Sequence, residues 1–273
     1  MPTAAALRIE IENALERRFP AALTPAPRVI RETASTGIAE IDELLDGGLP
    51  IGAISEVAGP ECSGRSSMAM AFIGRRTQEG CVCAWVDVED ALDAESAAAN
   101  GVCLKRLLWV RCGDESRVKK KNCKPWARLE QAIRATDLLL HAGGFSAIVL
   151  DLGGTAPEYA RRIPLATWFR FRQAANRTQC SLVILGQQAC AQSSADVVLQ
   201  CAPLRAETSN ESVLTGFRYE VRQGRAVAAS SLLTIAQGRR KPPVSTWCAR
   251  SAWDAEKREP QPEHIGIWME KRA

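Results

Sequence analysis

Histidine is almost absent from this chain, and its cysteines are not paired. Only two histidines occur in 273 residues, and none of the ten cysteines forms a CxxC pair with another. A zinc site needs paired cysteine or histidine ligands, and a secreted disulfide scaffold is usually shorter than this chain. We therefore expect ten reduced thiols that serve mainly as small core residues.

The sequence also lacks a long apolar run and a strong excess of either charge. No stretch approaches the roughly 20 apolar residues that span a bilayer, and the first residues show no signal-peptide pattern. Lys and Arg number 35 against 31 Asp and Glu, an excess too small to indicate nucleic-acid binding by itself. These features predict a cytoplasmic protein.

Apolar segments typical of buried strands alternate with helical segments from about residue 35 onward. This alternation predicts an α/β fold with a mostly parallel central sheet flanked by helices. After Gln188 only strand-like segments follow, namely DVVLQC, GFRYEVRQ and SSLLTIAQ. We expect these to be antiparallel edge strands on the C-terminal side, and we assign residues 35–237 to one domain.

Two segments flank this predicted domain. Residues 1–34 combine a short amphipathic helix over 6–19 with a proline-rich linker, and such a helix must bury its apolar side elsewhere. Residues 238–273 are charged and contain proline and tryptophan, which predicts a mobile tail. We expect partner surfaces at both ends, with Trp247 among the tail's contacts. The alternative is a helix that folds back on its own domain and a disordered tail.

The segment EVAGPECSGRSS has the spacing of a phosphate-binding loop between a predicted strand and a predicted helix. In such loops backbone N–H groups and the helix N-terminus bind phosphate, and a hydroxyl in the position of Ser66 reaches Mg²⁺. The alternative is an ordinary glycine-rich turn. The predicted nucleotide-binding residues are Gly59, Pro60, Glu61, Cys62, Ser63, Gly64, Arg65, Ser66 and Ser67.

Three further polar residues follow predicted strands at the edge where this loop lies. Asp151 ends the strand SAIVLD and is placed to hold Mg²⁺ through water, although it can also cap a helix. Glu89 shares a face with Asp87 and can orient a water molecule, or it can be a solvated acid that caps the next helix. Gln188, which follows Gln187, can sense a γ-phosphate or simply end a strand.

These segments together resemble the RecA recombinase family over residues 6 to about 237. STGIAEIDELLDGGLPIGAISEVAGPECSGRSS is similar to the opening of that family's ATPase core, DVEDALD to its catalytic-glutamate segment and IVLD to its Walker B strand. The resemblance implies ATP and Mg²⁺ as cofactors. The family's functional positions correspond here to Ser66 and Asp151 for Mg²⁺, Glu89 for water activation, Gln188 for nucleotide sensing, and Arg222 and Arg225 for contact with a neighbour's nucleotide.

The sequence departs from that family in the two loops that hold DNA. The segment after Gln188 shrinks to ACAQSSA, and the segment after Asp151 is also short. Both departures argue against strand exchange. A basic insertion, RVKKKNCK, is the candidate DNA patch, although it can equally be a solvated surface loop. Its cations are Arg117, Lys119, Lys120, Lys121 and Lys124.

Arg65 stands where a phosphate-binding loop usually has lysine. A lysine ammonium is a compact point charge, whereas a guanidinium is larger and planar. The charge is kept, so nucleotide binding can survive. Loss of one preorganised donor costs on the order of 10²–10³ in rate. We therefore expect weak or moderate binding with slow or absent turnover, and a protein that is not an active enzyme.

With its short loops and the arginine in its phosphate-binding loop, the chain resembles the ImuA-type accessory proteins of bacterial mutagenesis cassettes. The segments that carry this resemblance are GGLPIGAISEVAGPECSGRSS, CAWVDVEDALD and ATDLLLHAGGFSAIVLDLG. This implies a role in the SOS response and translesion synthesis in the bacterial cytoplasm, with weak or indirect DNA contact. Implied partners are RecA, an ImuB-type Y-family polymerase-like protein and an error-prone polymerase. The alternatives are a DNA-dependent ATPase or recombinase that tolerates Arg65, and a SulA-type division inhibitor, against which the intact loop spacing weighs.

Overall fold

The computed structural model describes residues 31–113, 125–209, 213–226 and 243–250. Its helices are α1 (Ala39–Leu44), α2 (Arg65–Gln78), α3 (Ala94–Ala99), α4 (Pro125–Ala142), α5 (Pro157–Ala160) and α6 (Leu165–Thr178). Its strands are β1 (Thr33–Ala34), β2 (Leu49–Pro50), β3 (Ile54–Ala58), β4 (Cys83–Asp87), β5 (Leu107–Arg111), β6 (Ala147–Asp151), β7 (Ser181–Gly186), β8 (Val197–Ser209), β9 (Val213–Ala226) and β10 (Val244–Arg250). The 3₁₀ turns are Leu104–Arg106 and Gln192–Ser194.

Eight of these strands form one sheet in the order β10-β9-β8-β3-β7-β6-β4-β5, and β1 pairs with β2 separately. In this order, neighbouring strands from β8 through β3, β7, β6 and β4 to β5 are parallel. β9 is antiparallel to β8, and β10 is antiparallel to β9. The predicted α/β architecture with antiparallel strands on the C-terminal side is therefore confirmed.

The expected direction of β8 is wrong, because this strand pairs with β3 in parallel rather than antiparallel fashion. Its first residues lie opposite the start of β3, with Val197 opposite Ser55. The connection from β7 through residues 187–196 must therefore return along β3 before β8 begins. That return path allows a parallel strand without a long helix in the connection.

β10 lies within the segment that was predicted to be a mobile tail. Its residues pair with β9 from Val244 opposite Arg222 to Arg250 opposite Gly216. Trp247 is 4% exposed, so it is a core residue and not a contact surface for a partner. The prolines that suggested a tail precede this strand and do not interrupt it, and the sheet extends to Arg250 instead of ending near 237.

Several predicted features lie outside the described residues. They are the N-terminal helix over 6–19 with most of its linker, the basic insertion and the segment SSLLTIAQ. Within the described ranges, no helix combines the length and the apolarity that crossing a membrane requires. The same ranges contain no cluster of three or more His, Cys, Asp or Glu that could hold a metal ion.

Helices cover both faces of the parallel strands. On one face Phe72 of α2 packs in a cluster with Trp85 of β4, and on the other face Trp168 and Phe171 of α6 pack near Ile148 of β6. Every residue of β3, β4 and β7 is buried, which explains why their sequences are mostly apolar. The carboxyl ends of these strands meet at one edge, where the candidate site lies.

The described cysteines include a buried set, as the composition predicted. Burial raises the pKa of the Cys83, Cys180 and Cys201 thiols to about 12, which keeps them protonated and unreactive near neutral pH. Cys62 is instead exposed, in the phosphate-binding loop.

Candidate nucleotide site at the carboxyl ends of the strands

The predicted phosphate-binding loop connects β3 to α2 and depends on glycine at two positions. Gly64, which precedes α2, has φ +83°, and a Cβ there would lie 2.7 Å from the ring of Tyr219. A Cβ at Gly59 would overlap the carbonyl oxygen of Cys201. Gly64 is therefore required by its left-handed backbone and by a close contact, and Gly59 by a close contact alone.

The backbone of this loop presents a row of free hydrogen-bond donors. The N–H groups from Glu61 to Ser66 meet no acceptor among the described residues. Ser63 is 1% exposed, and its Oγ also has no partner in that part of the chain. Unpaired donors at a helix N-terminus favour phosphate, because the helix dipole adds positive potential there. The loop therefore fits the phosphates of a nucleotide.

The side chain of Arg65 is held by three backbone carbonyl oxygens. Nη1 donates to the carbonyl of Gly59 and, at 3.2 Å, to that of Gly186, while Nη2 donates to that of Gly153 at 2.8 Å. These carbonyls follow or end β3, β7 and β6. The planar fork of a guanidinium suits such an arrangement, and it links three neighbouring strand ends. Arg65 is only 8% exposed.

Asp151 ends β6 beside this guanidinium. Its Oδ1 accepts a hydrogen bond from the N–H of Gly153 at 2.8 Å, so it closes a local turn and does not cap a helix. Burial raises the pKa of the Asp151 carboxyl, and the Asp87 carboxylate raises it further. The Gly153 N–H and the positive charge of Arg65 act in the opposite direction.

Glu89, the predicted water-activating residue, forms an ion pair with Arg128 of α4 at 3.1 Å. The pair is about one-third exposed on each side. Asp87, which is 1% exposed, accepts from the N–H groups of Ala91 and Leu92 at 3.0 and 2.8 Å. The structural role at this strand end thus belongs to Asp87, while Glu89 is a half-buried acid with a basic partner.

The two glutamines after β7 have different surroundings. Gln188, the predicted sensor, is exposed, and its Oε1 accepts a hydrogen bond from the guanidinium of Arg161. Gln187 instead donates from Nε2 to the carbonyl of Gly153 at 3.3 Å, the same oxygen that Arg65 contacts. The structure therefore places Gln187, rather than Gln188, beside the phosphate-binding loop.

The predicted trans-acting arginines lie on β9. Arg222 is exposed and donates from Nε to Glu220 at 2.6 Å. Arg225 belongs to the same strand, opposite Val198 of β8. The predicted DNA patch over residues 117–124 lies outside the described residues.

Two residues near the loop were not identified from the sequence. Glu56 of β3 is 2% exposed, and its Oε1 accepts from the N–H groups of Cys190 and Ala191 at 2.6 and 2.8 Å. Tyr219 of β9 contacts Gly64 and lies 4.9 Å from the ring of Trp247. A carboxylate inside an apolar strand is a sequence signal that could have identified Glu56, whereas no local pattern identifies Tyr219.

A parallel sheet with a phosphate-binding loop after a central strand defines the P-loop class of nucleotide-binding α/β proteins. The sequence model of the RecA N-terminal domain matches residues 11–156, which is just over half of the chain. The chain belongs to the RecA family. The resemblance predicted from the sequence is thereby confirmed at the level of the family.

Individual relatives agree with this assignment. Protein RecA of Allorhizobium ampelinum is 32% identical over 171 residues, covering 57% of this chain and 43% of that protein. Protein RecA of Brucella anthropi is 30% identical over 177 residues, covering 59% and 45%. The chain thus spans less than half the length of these relatives. A solved structure of the RadB recombinase matches 71% of this chain and 90% of its own, with a TM-score of 0.50 and 16% identity, which shows the common fold.

Proposed function

We propose that this chain is a RecA-like accessory protein of damage-induced DNA repair, acting in SOS mutagenesis and translesion synthesis through protein contacts. The supporting observation is the engagement of Arg65 by the carbonyls of Gly59, Gly153 and Gly186. A phosphoryl-transfer site needs a cation that stabilises charge developing on the transferred group. A guanidinium committed to three carbonyls cannot do so without leaving them.

The neighbouring candidates for catalysis are engaged in the same way. Arg128 neutralises the Glu89 carboxylate at 3.1 Å, and Arg161 contacts the Oε1 of Gln188. Catalysis depends on groups that are oriented before the reaction begins. Arg65, Glu89 and Gln188 each already have a protein partner. This arrangement supports an accessory role in which Mg-ATP is not hydrolysed.

The assignment to DNA repair rests on the relatives and on the short loops. The matched relatives are RecA proteins, and the structural neighbour is a recombinase. After Asp151 a turn leads directly to α5, and the segment after Gln188 is fastened by Glu56. Neither described loop offers a long segment for holding a DNA strand, so we propose weak or indirect DNA contact.

Partner binding is tested by shortening the chain at the limits of the folded sheet. We propose that residues 1–30 contact RecA and that residues 251–273 contact an ImuB-type polymerase-like protein, with an error-prone polymerase in the same assembly. A chain of residues 31–273 should lose RecA in a pull-down, and a chain of residues 1–250 should lose the polymerase-like protein. The second chain keeps β10 and Trp247, so its thermal unfolding should match that of the full chain. Full binding by both shortened chains contradicts these assignments.

A DNA-dependent ATPase is the second candidate, and the free N–H groups from Glu61 to Ser66 favour it. Steady-state hydrolysis of Mg-ATP, with and without single-stranded DNA, separates the two functions. The accessory role predicts turnover far below the usual enzyme range of about 1–10³ s⁻¹. Turnover within that range, stimulated by DNA, would replace the accessory role by the enzymatic one.

A further inference from the structure

The guanidinium of Arg65 occupies the space between the phosphate-binding loop and the ends of β6 and β7. It contacts carbonyl oxygens on all three sides, from Gly59, Gly153 and Gly186. A Cβ placed on Gly153 would lie 3.1 Å from Nη2 and 3.3 Å from Nε, so the group is packed as well as hydrogen-bonded. An additional phosphate cannot share this space.

A phosphate that displaced the guanidinium would face the carbonyl oxygens that the guanidinium now contacts. Gly153 and Gly186 are buried, and their carbonyls present partial negative charge toward Arg65. Phosphate oxygens in the same position would meet those carbonyls without a donor between them. The side chain of Arg65 therefore blocks the terminal phosphate of a triphosphate, and the carbonyl oxygens of Gly153 and Gly186 would repel it.

The position expected for Mg²⁺ has a positive charge beside it. A Cβ on Gly153 would be 2.9 Å from the Oδ1 of Asp151 and 3.1 Å from the Nη2 of Arg65, so the guanidinium lies near the carboxyl without forming an ion pair with it. Mg²⁺ is held by carboxylates together with the phosphates of the substrate. Here the guanidinium lies close enough to lower the pKa of the Asp151 carboxyl, against the larger effect of burial, and its positive charge repels a second cation.

The side chain of Arg65 contacts carbonyl oxygens and leaves the N–H donors of the loop available. The N–H groups from Glu61 to Ser66 are unpaired within the described residues, and the buried Oγ of Ser63 has no partner there. Such donors can bind phosphate oxygens without a metal. Resting on the proposed function, we infer that this loop binds a nucleoside diphosphate without Mg²⁺ and excludes the terminal phosphate of a triphosphate.

The inference is tested on the full chain by equilibrium competition. A fluorescent N-methylanthraniloyl derivative of ADP is the reporter, and ADP, ATP and inorganic pyrophosphate compete in either EDTA or Mg²⁺. We expect ADP to bind at least about tenfold more tightly than ATP. The ADP affinity should be the same in EDTA and in Mg²⁺, and pyrophosphate should compete.

A matched pair of variants on α2 assigns the selectivity to Arg65. Arg65→Lys retains the charge but loses the planar fork, so it should lose the preference for ADP and gain affinity for ATP on addition of Mg²⁺. Arg75→Lys changes an exposed arginine of the same helix and should behave as wild type. Circular dichroism monitors folding, and the wild-type competition decides the inference if Arg65→Lys does not fold.

The outcomes separate this inference from the proposed function. Tighter binding of Mg-ATP than of ADP overturns the inference, as does the absence of binding by either nucleotide, and both leave the accessory role intact. Rapid hydrolysis of ATP overturns the accessory role itself. Dependence of ADP binding on Mg²⁺ also overturns the inference, because the positive charge of Arg65 then does not exclude the metal.

Discussion

The backbone of the phosphate-binding loop and the side chains around it differ in what they are free to bind. The N–H groups from Glu61 to Ser66 have no acceptor in the described chain, whereas Arg65, Glu89 and Gln188 each have a protein partner. Binding a phosphate requires only the first set of groups. The second set contains the residues for which the sequence predicts roles in phosphate transfer.

This difference is the one we expect of a RecA-type site that binds a nucleotide without turning it over. The loop conformation depends on a few neighbouring residues, with glycine at the left-handed position of Gly64. The predicted catalytic groups are side chains from several strand ends, and an arginine contacts each of two of them. Arg128 contacts Glu89, and Arg161 contacts Gln188. The predictions that follow act on one side of this comparison at a time.

The largest effect is expected from Gly64→Ala, which alters the backbone side. The backbone at position 64 has φ +83°, and the new Cβ would lie 2.7 Å from the Tyr219 ring. The change should therefore lower the free energy of unfolding by about 2–5 kcal/mol. Gly80→Ala is the matched control, with φ +87° and open space around the Cβ. Urea denaturation should show a much smaller loss for the control, which should also retain nucleotide binding. Equal losses would show that the Tyr219 contact contributes nothing.

The next largest effect is expected at Glu56, which holds the segment after β7. Glu56→Ala leaves the N–H groups of Cys190 and Ala191 without an acceptor and should cost about 2–3 kcal/mol. Glu56→Gln keeps an oxygen acceptor and should cost less. Urea denaturation of both variants provides the measurement. If the two losses are equal, the backbone hydrogen bonds are not the reason for a buried carboxylate.

A smaller effect, a gain in the rate of ATP hydrolysis, is expected when the predicted catalytic side chains are released from their partners. Arg128→Met frees Glu89, and Arg65→Lys restores the usual loop cation, but either change alone leaves one group misplaced. The double variant should hydrolyse ATP at least about tenfold faster than either single variant, because a general base and a positioned cation act together. Steady-state phosphate release measures the rate. A double variant as inert as both single variants would show that the backbone side is defective too.

The smallest effect is expected from Asp151→Asn and depends on pH. Burial raises the folded-state pKa of Asp151, so its protonated form contributes stability below the unfolded pKa, and this contribution is lost as pH rises through the folded pKa. The variant should therefore be more stable than wild type at pH 7, with a difference that shrinks toward pH 4. Urea denaturation across this range measures it.

Asp93→Asn supplies a control of opposite sign. The hydrogen bonds from Ser96 hold the pKa of Asp93 below its usual value, so its charged form stabilises the fold at neutral pH and loses this effect in acid. This variant should be less stable than wild type at pH 7 and equal to it at low pH. The same sign for both variants would mean that burial does not dominate at Asp151.

Much of the fold could be predicted because it depends on local patterns. Buried parallel strands such as β6 and β7 have long apolar runs, and the glycine spacing between Gly59 and Gly64 marks the loop directly. The strands on the C-terminal side of the sheet were harder to predict. β10 follows a proline- and arginine-rich stretch, and the parallel direction of β8 depends on the path of residues 187–196.

The contacts of Arg65 could not be predicted in the same way. The carbonyls of Gly153 and Gly186 lie 88 and 121 positions away in the chain, and a backbone oxygen has no signature in the residue type. The substitution of lysine by arginine indicated that the chemistry had changed. Only the arrangement of three strand ends shows what the guanidinium does instead.

The contact between Tyr219 and Gly64 has a consequence for the order in which a newly made chain becomes competent. Synthesis proceeds from the N-terminus, and the loop residues emerge long before β9, which carries the ring packed against them. Two of the three oxygens that hold Arg65, those of Gly153 and Gly186, also come from later parts of the chain. A nascent chain that ends before β9 therefore contains the whole P-loop sequence without the neighbours that shape it. We therefore expect the candidate nucleotide site to be among the last parts of the described fold to form on the ribosome.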